Sequence, residues 1–243
     1  MDTREKAIAD AVERLQQPIP KDILIIQAVH AVKDIDHAQE VLMKRLRGWY
    51  ELHAPEISFG CKDDERFAQQ ILHQEKDELL KQAGAAHDTG GSIGPADLAA
   101  IRGLARQVVA CADERQQLIA YIETSMQEYC PNLLAMTTPV IGARLLAHAG
   151  HLSRLARLPG SAIQMLGAEE ALFRHLHTKA KPPKYGVLYE HPLVNQASQP
   201  QKGKLARQIA NKIAIAVKAD VYGDRVDVGK EIYEELEAKH GRA

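Results

Sequence analysis

The residue types in this sequence best suited to chemistry are the lysines and arginines of its last third, which could hold phosphate groups. Residues 171–218 contain nine Lys or Arg side chains against a single acid, Glu190, a charge of +8. The whole chain of 243 residues carries a formal charge of -1, so the rest of it sums to -9. Such asymmetry is typical of a module that contacts phosphate, held on a scaffold that does not. A basic face that is merely solvated is the alternative.

Catalytic patterns are weak by comparison. His148 and His151 lie three positions apart and could share a metal ion, but neither spacing supplies an acidic third ligand. The sequence "QPQKGK" lacks the first glycine of a phosphate-binding GxxxxGK loop, and no GxSxG motif occurs. Cys130 has no evident base beside it. We therefore predict a protein that is not an enzyme and that needs no cofactor or metal.

Composition limits the fold class and the compartment. Aromatic residues make up only 5% of the chain, whereas Ala, Leu, Gln, Glu, Lys and Arg are abundant, which favours a helical, partly coiled-coil protein. Cys61, Cys111 and Cys130 lie far apart, so neither a disulfide framework nor a zinc site is indicated. The first residues are charged and amphipathic, and no window approaches eighteen apolar residues. We therefore expect a cytoplasmic protein without a membrane partner.

Hydrophobic periodicity predicts helices that would position the basic residues. Apolar residues in alternating steps of three and four predict a long helix over about 21–53, ending near Pro55. A weaker apolar stripe covers residues 63–83, and a stronger one covers residues 98–122. The glycine-rich turn segment "GAAHDTGGSIGP" lies between them. Two helices joined by such a turn form an antiparallel coiled-coil hairpin.

The pattern after Pro131 is that of a compact helical domain. The segment 182–203 carries four prolines and three β-prone residues, and predicts a loop with a short strand pair. A basic amphipathic helix follows, in which Lys204 and Arg207 point outward while Leu205 and its helical neighbours point inward.

Two stretches of the basic region, "GAEEALFRHLHTKAKPPKYG" and "KGKLARQIANKIAIAVKADVYG", closely resemble the signature of the Nop domain family. That family includes the archaeal core protein of box C/D ribonucleoproteins and its nucleolar and spliceosomal relatives. The upstream stretches beginning "IIQAVHAVKDIDHAQ" and "PNLLAMTTPVIGARL" are also similar to it, so the resemblance covers residues 23 to about 225. It implies an all-α fold, a long coiled-coil hairpin followed by a compact helical Nop domain. We divide the chain into N-terminal helices (1–62), the hairpin (63–128) and the Nop domain (129–243).

The resemblance implies an RNA-binding scaffold of a box C/D-type ribonucleoprotein. Family members recognise a kink-turn RNA together with a small ribosomal-protein-like partner, and pair with another Nop protein, or with a second copy, through the coiled coil. Guided ribose methylation, ribonucleoprotein assembly and pre-rRNA processing are the implied roles. Two alternatives stay open, a coiled-coil protein-protein adaptor without RNA binding and a small hydrolase that uses the histidine pair.

Physical chemistry assigns roles to individual residues within that reading. Arg174 can grip a phosphate with two donors, the lysines act as point charges, and Tyr185 either stacks on an unpaired base or packs beneath its loop. Phe173 is expected in the core. The residues predicted to bind RNA are Arg174, Lys179, Lys181, Lys184, Tyr185, Lys202, Lys204, Arg207 and Lys212. Those predicted to bind the partner protein are Gly167, Ala168, Glu169 and Leu172, and those predicted to dimerise are Leu118, Ile119 and Ile122.

The sequence departs from the family pattern in two respects that bear on its partners. Only some twenty residues precede the first family helix, too few for the amino-terminal domain that recruits fibrillarin, so we expect fibrillarin to be a doubtful partner. The short chain also suggests an archaeal source, in keeping with a cytoplasmic location. Glu170 stands where the family usually has Lys, which would weaken a phosphate contact by on the order of 1 kcal/mol if that position meets RNA.

The coiled-coil stripes generate a prediction about assembly. Leu118 beside Ile119 widens the second stripe beyond what one partner helix covers, so we expect a second copy to cover it. Sedimentation equilibrium should give a dimer mass at about micromolar concentration, and Leu118→Glu should shift it toward monomer. A monomer mass that this substitution leaves unchanged would mean that the hairpin folds back on the first long helix.

Overall fold

The structure, a computed structural model, describes residues 4, 12, 18–85, 87–178, 180–223 and 225–240. The regular elements in these ranges are helices, with no strand, so the predicted all-α fold is confirmed. The strand pair predicted within 182–203 is wrong: a 3-10 turn at Val187–Glu190 and a short helix that begins at Pro192 occupy this segment. Proline suits the first helical position, where its missing N–H is not needed. None of the described helices has the length and apolar content to span a membrane.

The helices differ widely in length. The first five are α1 (Lys21–Tyr50), α2 (Pro55–Gly60), α3 (Asp64–His73), α4 (Lys76–Ala83) and α5 (Pro95–Tyr129). The later ones are α6 (Pro131–Met136), α7 (Pro139–Ala149), α8 (Leu152–Arg157), α9 (Gly160–Met165), α10 (Glu169–His177), α11 (Pro192–Gln196), α12 (Gln199–Tyr222) and α13 (Val228–His240).

The chain divides into two compact units. The scaffold unit is His30–Tyr121, and the basic unit combines the described residues of Met1–Val29 with those of Ile122–Ala243. Helices α1 and α5 therefore contribute to both units. The three-part division at residues 62 and 128 stays a prediction.

The scaffold unit is built on two antiparallel helix segments, the second part of α1 and the first part of α5. Asp36 pairs with Arg115, whereas Leu46, further along α1, shares a buried core with Ile101 near the start of α5. The apolar stripe of α5 is thus covered by α1 as well as by α3 and α4. The buried core residues are Met43, Leu46, Tyr50, Ala54, Ile57, Phe67, Ala68, Ile71, Leu79, Ile101, Ala105 and Val108.

The run predicted as one helix over 63–83 is two helices, because the backbone is extended at Gln74 and Glu75. The Arg102 guanidinium fills this break: its Nε donates to the Ile71 carbonyl and its Nη2 to the Gln74 carbonyl, each over 3.1 Å. Carbonyls at a helix end need such donors. A distant arginine therefore stabilises an interruption that the local sequence does not signal.

The predicted dimerisation residues differ in exposure. Ile122 is fully buried within the chain, so its side chain has no free surface to offer a second copy. Leu118 and Ile119 are partly exposed. The prediction of a dimer through α5 therefore depends on Leu118 and Ile119.

The basic unit is organised around α12, which packs against α6, α8 and α9. At the closest approach to α9, a Cβ on Gly160 would lie 2.8 Å from the Asn211 Cα, so only glycine fits there. The other helices cover the inward face of α12, whose buried apolar residues are Leu205, Ala206, Ile209, Ala210, Ile213, Ala214, Ala216 and Val217.

A polar clamp fastens the far end of α12 to α6. The Asp220 carboxylate accepts hydrogen bonds from the backbone N–H groups of Asn132 (2.9 Å) and Leu133 (2.8 Å). The Asn132 side-chain oxygen in turn accepts from the Gly229 N–H over 2.8 Å. Burial raises the pKa of Asp220 although these donors oppose the shift. The clamp satisfies N–H groups at the start of α6 and fixes the entry to α13.

His191 is buried between the 3-10 turn and α11, and contacts the end of α6. Its Nε2 lies 3.0 Å from the Met136 carbonyl oxygen, to which it donates, while its buried Nδ1 has no hydrogen-bond partner. Burial lowers the pKa of His191, although the Met136 carbonyl favours the protonated ring. The fold therefore disfavours the protonated form of this histidine.

This environment predicts acid sensitivity. Below the usual histidine pKa of about 6.5 the unfolded chain binds a proton that the folded chain resists, so stability falls as pH drops. His191→Gln, which keeps a donor for Met136, should flatten this pH dependence in urea unfolding between about pH 5 and 8. His37→Gln, at an exposed position of α1, is the matched control and should leave the dependence unchanged. Identical pH profiles for both variants would contradict the assignment.

Candidate nucleic-acid interface

An exposed arm, residues 167–185, carries α10, and no residue of that helix is buried. The chain leaves and re-enters the body at one point: the Val187 N–H donates to the Leu166 carbonyl over 2.8 Å, and the Gly186 N–H donates to the Gln164 carbonyl over 3.0 Å. A Cβ on Gly186 would lie 1.8 Å from the Leu166 oxygen. This backbone crossing therefore requires glycine, and it determines where the arm starts.

The start of α10 is tied down by hydrogen bonds. Gly167, at φ +83°, donates its N–H to Glu169 Oε1 over 2.8 Å, and the same oxygen lies 3.1 Å from His148 Nδ1. Burial works to raise the pKa of Glu169, but the Gly167 N–H and His148 outweigh it and lower that pKa. Ala168 is buried. Of the residues predicted to meet a protein partner, Gly167 and Leu172 are thus exposed, whereas Ala168 is covered and Glu169 is engaged within the chain.

One side of α10 presents an apolar stripe to solvent. Phe173 is 64% exposed and Leu176 is 70% exposed, and Leu172 beside them is also exposed. The expectation that Phe173 lies in the core is wrong, because no residue of α10 is buried. The Phe173 ring instead lies 4.1 Å from the His177 ring, between centroids. Exposed apolar side chains grouped on one helix indicate a surface for a protein partner.

Most of the predicted RNA-binding cations are free on the surface. They are exposed, and none forms an ion pair within the described residues. Unpaired surface cations can meet phosphate without first losing a carboxylate partner. These residues are Arg174, Lys181, Lys184, Lys204 and Arg207.

The other predicted cations stand apart from this group. Lys212 Nζ lies 3.2 Å from Glu235 Oε2 on α13, so its charge is already paired. Lys202 is buried and cannot present its ammonium to a phosphate at the surface. Lys179 lies outside the described residues.

Lys204 and Arg207 lie on the exposed face of α12, opposite its buried leucine, isoleucine and alanine residues. Lys218, about three turns beyond Arg207, is exposed too. Because helix α12 is held by its packed inner face, these cations are carried on a rigid support. Such preorganisation reduces the entropy that is lost on binding.

The structure adds two arginines that the site prediction missed. Arg154 and Arg157 on α8 are exposed and form no ion pair with any described residue. The close approach of Gly160 to Asn211 brings the end of α8 toward the part of α12 that carries Arg207. The sequence feature that could have indicated these two arginines is the local charge, since residues 130–168 contain no Asp or Glu.

Tyr185 does not lie alone. Its ring stacks on that of Tyr189, with centroids 5.0 Å apart and planes inclined by 21°. Tyr189 is 40% exposed. Tyr185 therefore packs against a second aromatic ring that itself reaches the surface, and its stacking on an unpaired base stays a prediction.

The histidines of "HAGH" have structural partners. His148 faces Glu169, and His151 Nδ1 accepts the Arg154 N–H over 3.0 Å, which caps α8. In the described parts of the chain, no three His, Cys, Asp or Glu side chains are grouped so that they could hold a metal ion. These contacts give the histidines a role without metal chemistry.

Comparison with known proteins connects this geometry to a family. The family model Nop, "snoRNA binding domain, fibrillarin", matches residues 31–241. Nucleolar protein 58 of Scheffersomyces stipitis is 39% identical over 235 residues, which are 90% of this chain and 45% of that protein. A NOP5 family protein of Methanocaldococcus jannaschii is 37% identical over 222 residues, 85% of this chain and 54% of that protein. The chain spans about half the length of the curated relatives it matches.

A solved structure has the same fold. It is the crystal structure of a fibrillarin/Nop5p complex, which aligns with a TM-score of 0.55 and 21% identity over 98% of this chain and 73% of that chain. Because the identity is low, this likeness concerns the fold alone.

These matches correct two expectations. The cytoplasmic location is wrong, because relatives that match 90% of the chain are named nucleolar protein 58, in Scheffersomyces stipitis and again in Candida glabrata. The doubt about fibrillarin is not supported, since the description of the family model that matches residues 31–241 names fibrillarin. That doubt depended on where the sequence begins. Because the chain spans about half the length of its relatives, its first residue gives no information about partners.

The backbone crossing at the base of the arm gives a stability prediction. Gly186→Ala should lower the free energy of unfolding by about 1–3 kcal/mol and should speed amide hydrogen exchange at Val187, because the new Cβ would force the Leu166 carbonyl away. Gly48→Ala is the matched control: it lies in α1 with nothing within 4 Å of its added Cβ, and should stabilise by about 1 kcal/mol. Equal stability of wild type and Gly186→Ala in urea unfolding would show that the crossing tolerates a side chain.

Proposed function

Because the chain belongs to the Nop domain family, we propose that it is an RNA-binding scaffold of a box C/D-type ribonucleoprotein. The family consists of ribonucleoprotein scaffold proteins rather than enzymes. The observation that carries the proposal is the group of unpaired, exposed cations on the arm and on α12. We place the protein in the assembly that guides ribose methylation and pre-rRNA processing. The names of its yeast relatives support a nucleolar site of action.

RNA accounts for this surface better than other phosphate ligands do. A-form RNA hides its base edges in a deep, narrow groove, so proteins recognise its phosphates, its shape and its unpaired bases. Lys204 and Arg207 on a rigid helix suit a regularly spaced phosphate backbone, while Lys181 and Lys184 on the arm suit a bend or loop. Tyr185, stacked on Tyr189, extends the same surface with an aromatic face for an unpaired base.

The arm supports a composite ligand, a kink-turn RNA already bound by a small ribosomal-protein-like partner. Leu172, Phe173 and Leu176 form an apolar stripe, and Arg174 lies on the same short helix. Apolar side chains favour a protein surface, whereas arginine favours phosphate. A ligand that offers both surfaces side by side would cover the arm, which neither RNA nor protein alone would do.

We further propose that the protein assembles with more than one protein partner. A second copy, or another Nop protein, would cover the partly exposed Leu118 and Ile119 on α5. Fibrillarin belongs among the proposed partners because the description of the matching family model names it. A scaffold that joined two copies could hold two RNA sites at once, which raises avidity without new contacts.

The proposal predicts which substitutions abolish RNA binding. Lys204→Glu with Arg207→Glu should abolish the gel shift of a kink-turn RNA carrying its small partner, because two free cations become repulsive. The fold should survive, since both side chains are exposed. The matched control reverses Lys44 and Arg45, two exposed cations of α1 in the scaffold unit, and should leave the shift intact.

The same assay tests the composite ligand. Binding to the RNA alone should be much weaker than binding to the RNA with its partner, because the apolar stripe of α10 would be left without a surface to cover it. Equally tight binding to naked RNA would contradict the composite ligand. Undiminished binding by the Lys204/Arg207 variant would move the RNA site away from α12, and no binding by wild type would favour a protein-protein adaptor.

A further inference from the structure

Lys202 is the unusual lysine of the basic surface. It lies early in α12, close to Lys204, yet only 6% of it is exposed. Its Nζ sits over the ring of Tyr189, 4.7 Å from the centroid. Glu190, the acid next to that ring in sequence, is already paired with Arg144 at 2.6 Å. Lysine is almost never fully buried without a partner, and here the partner is the negative face of an aromatic ring.

The ring under Lys202 connects it to the RNA-binding segment of the arm. Tyr189 stacks on Tyr185, so the ammonium and the two rings form one row. Next to Lys202 in sequence, Gly203 lies beside the alkyl chain of Lys184, whose Cβ and Cδ are 3.6 Å from where a Cβ on Gly203 would be. Lys202 thus contacts Tyr189, and its neighbour Gly203 lies against Lys184.

Helix α9 holds the backbone of the same segment through Gln164. Gln164 Nε2 donates to the Lys184 carbonyl over 2.6 Å, and the Gln164 carbonyl accepts the Gly186 N–H over 3.0 Å. Backbone hydrogen bonds therefore fix the path of this segment. The Tyr185 ring itself is stacked on the Tyr189 ring, over which the Lys202 ammonium lies.

We propose that Lys202 is a positioning residue that holds Tyr189, and through it Tyr185 and Lys184, in the arrangement that meets RNA. Its ammonium faces a ring and is covered, so it contributes no phosphate contact of its own. The effect on RNA binding rests on the proposed function, whereas the ordering of the tyrosine pair is a property of the free protein.

The test compares charge removal at two neighbouring positions, Lys202→Met and Lys204→Met. Methionine keeps an unbranched apolar chain and removes only the ammonium. Lys202→Met should weaken binding to the kink-turn RNA with its small partner by about tenfold, and Lys202→Arg, which preserves a cation over the ring, should restore it to within about twofold.

Salt dependence separates positioning from phosphate contact. The slope of log affinity against log salt should stay unchanged in Lys202→Met, because no phosphate contact is removed. In Lys204→Met the slope should shrink by about 0.8, the share of one phosphate contact. In the free protein, the near-UV circular dichroism of the tyrosines should change in Lys202→Met and not in Lys204→Met.

Each outcome decides the proposal. Unchanged affinity in Lys202→Met, or a slope that shrinks as in Lys204→Met with an unchanged tyrosine spectrum, would overturn it. If wild type binds no RNA, the proposed function fails, and the tyrosine spectra of Lys202→Met and Lys202→Arg still decide whether Lys202 orders the ring pair. If Lys202→Met does not fold, Tyr189→Leu tests the proposal instead, because Tyr189 contacts both Lys202 and Tyr185. This variant should lose about the same RNA affinity and keep the salt slope of wild type.

Discussion

The backbone crossing between Leu166 and Gly186 is the constraint on which the interface depends. Helix α10 buries none of its residues, so it gains no position from packing of its own faces. Its position follows from two neighbouring backbone hydrogen bonds at the base of the arm, from the contacts of Glu169 with Gly167 and His148, and from a glycine whose missing side chain lets two backbones touch. Side chains that meet a partner can therefore vary in type, because the arm is held by main-chain geometry. Because both belong to the arm, the apolar stripe of α10 and the basic end of the arm are presented to solvent together.

Ion pairs occupy part of the charge of the scaffold unit. Three of its arginines are paired internally: Arg47 pairs with Asp64, Arg102 with Glu75 and Arg115 with Asp36. Exposed ion pairs such as these contribute little stability each, about 0–1 kcal/mol, but they leave no free charge for a ligand. Cations of the arm and of the outer α12 face have no such partners among the described residues. A chain with almost no net charge thereby acquires a surface that attracts phosphate.

Periodicity and charge predicted much of this from the sequence, and the errors have a common physical cause. The long helices α1 and α5 and the outward face of α12 follow from local spacing, which a single sequence contains. The break at Gln74 does not, because a guanidinium about thirty residues away stabilises it. Exposure of Phe173 was missed because amphipathic spacing cannot tell a core from a surface that awaits a partner. Lys202 and Lys212 were counted as free cations because composition does not show which side chains they contact. Their partners, the Tyr189 ring and the Glu235 carboxylate, lie distant in sequence.

In the proposed complex, helix α12 and the arm would divide recognition between a rigid and a lightly held element. The inner face of α12 is buried along its length, and the Asp220 clamp fastens its end, so Lys204 and Arg207 keep a fixed spacing. A ligand with a regularly spaced phosphate backbone suits charges at fixed positions. A composite of RNA and protein presents a surface whose shape depends on which RNA and which protein are bound. Since no face of α10 is packed, the arm can adjust to that surface at the cost of few internal contacts. In the proposed complex, tight binding requires that these two elements be joined, and the Lys202 ammonium on α12 lies over the Tyr189 ring, which stacks on Tyr185 of the arm.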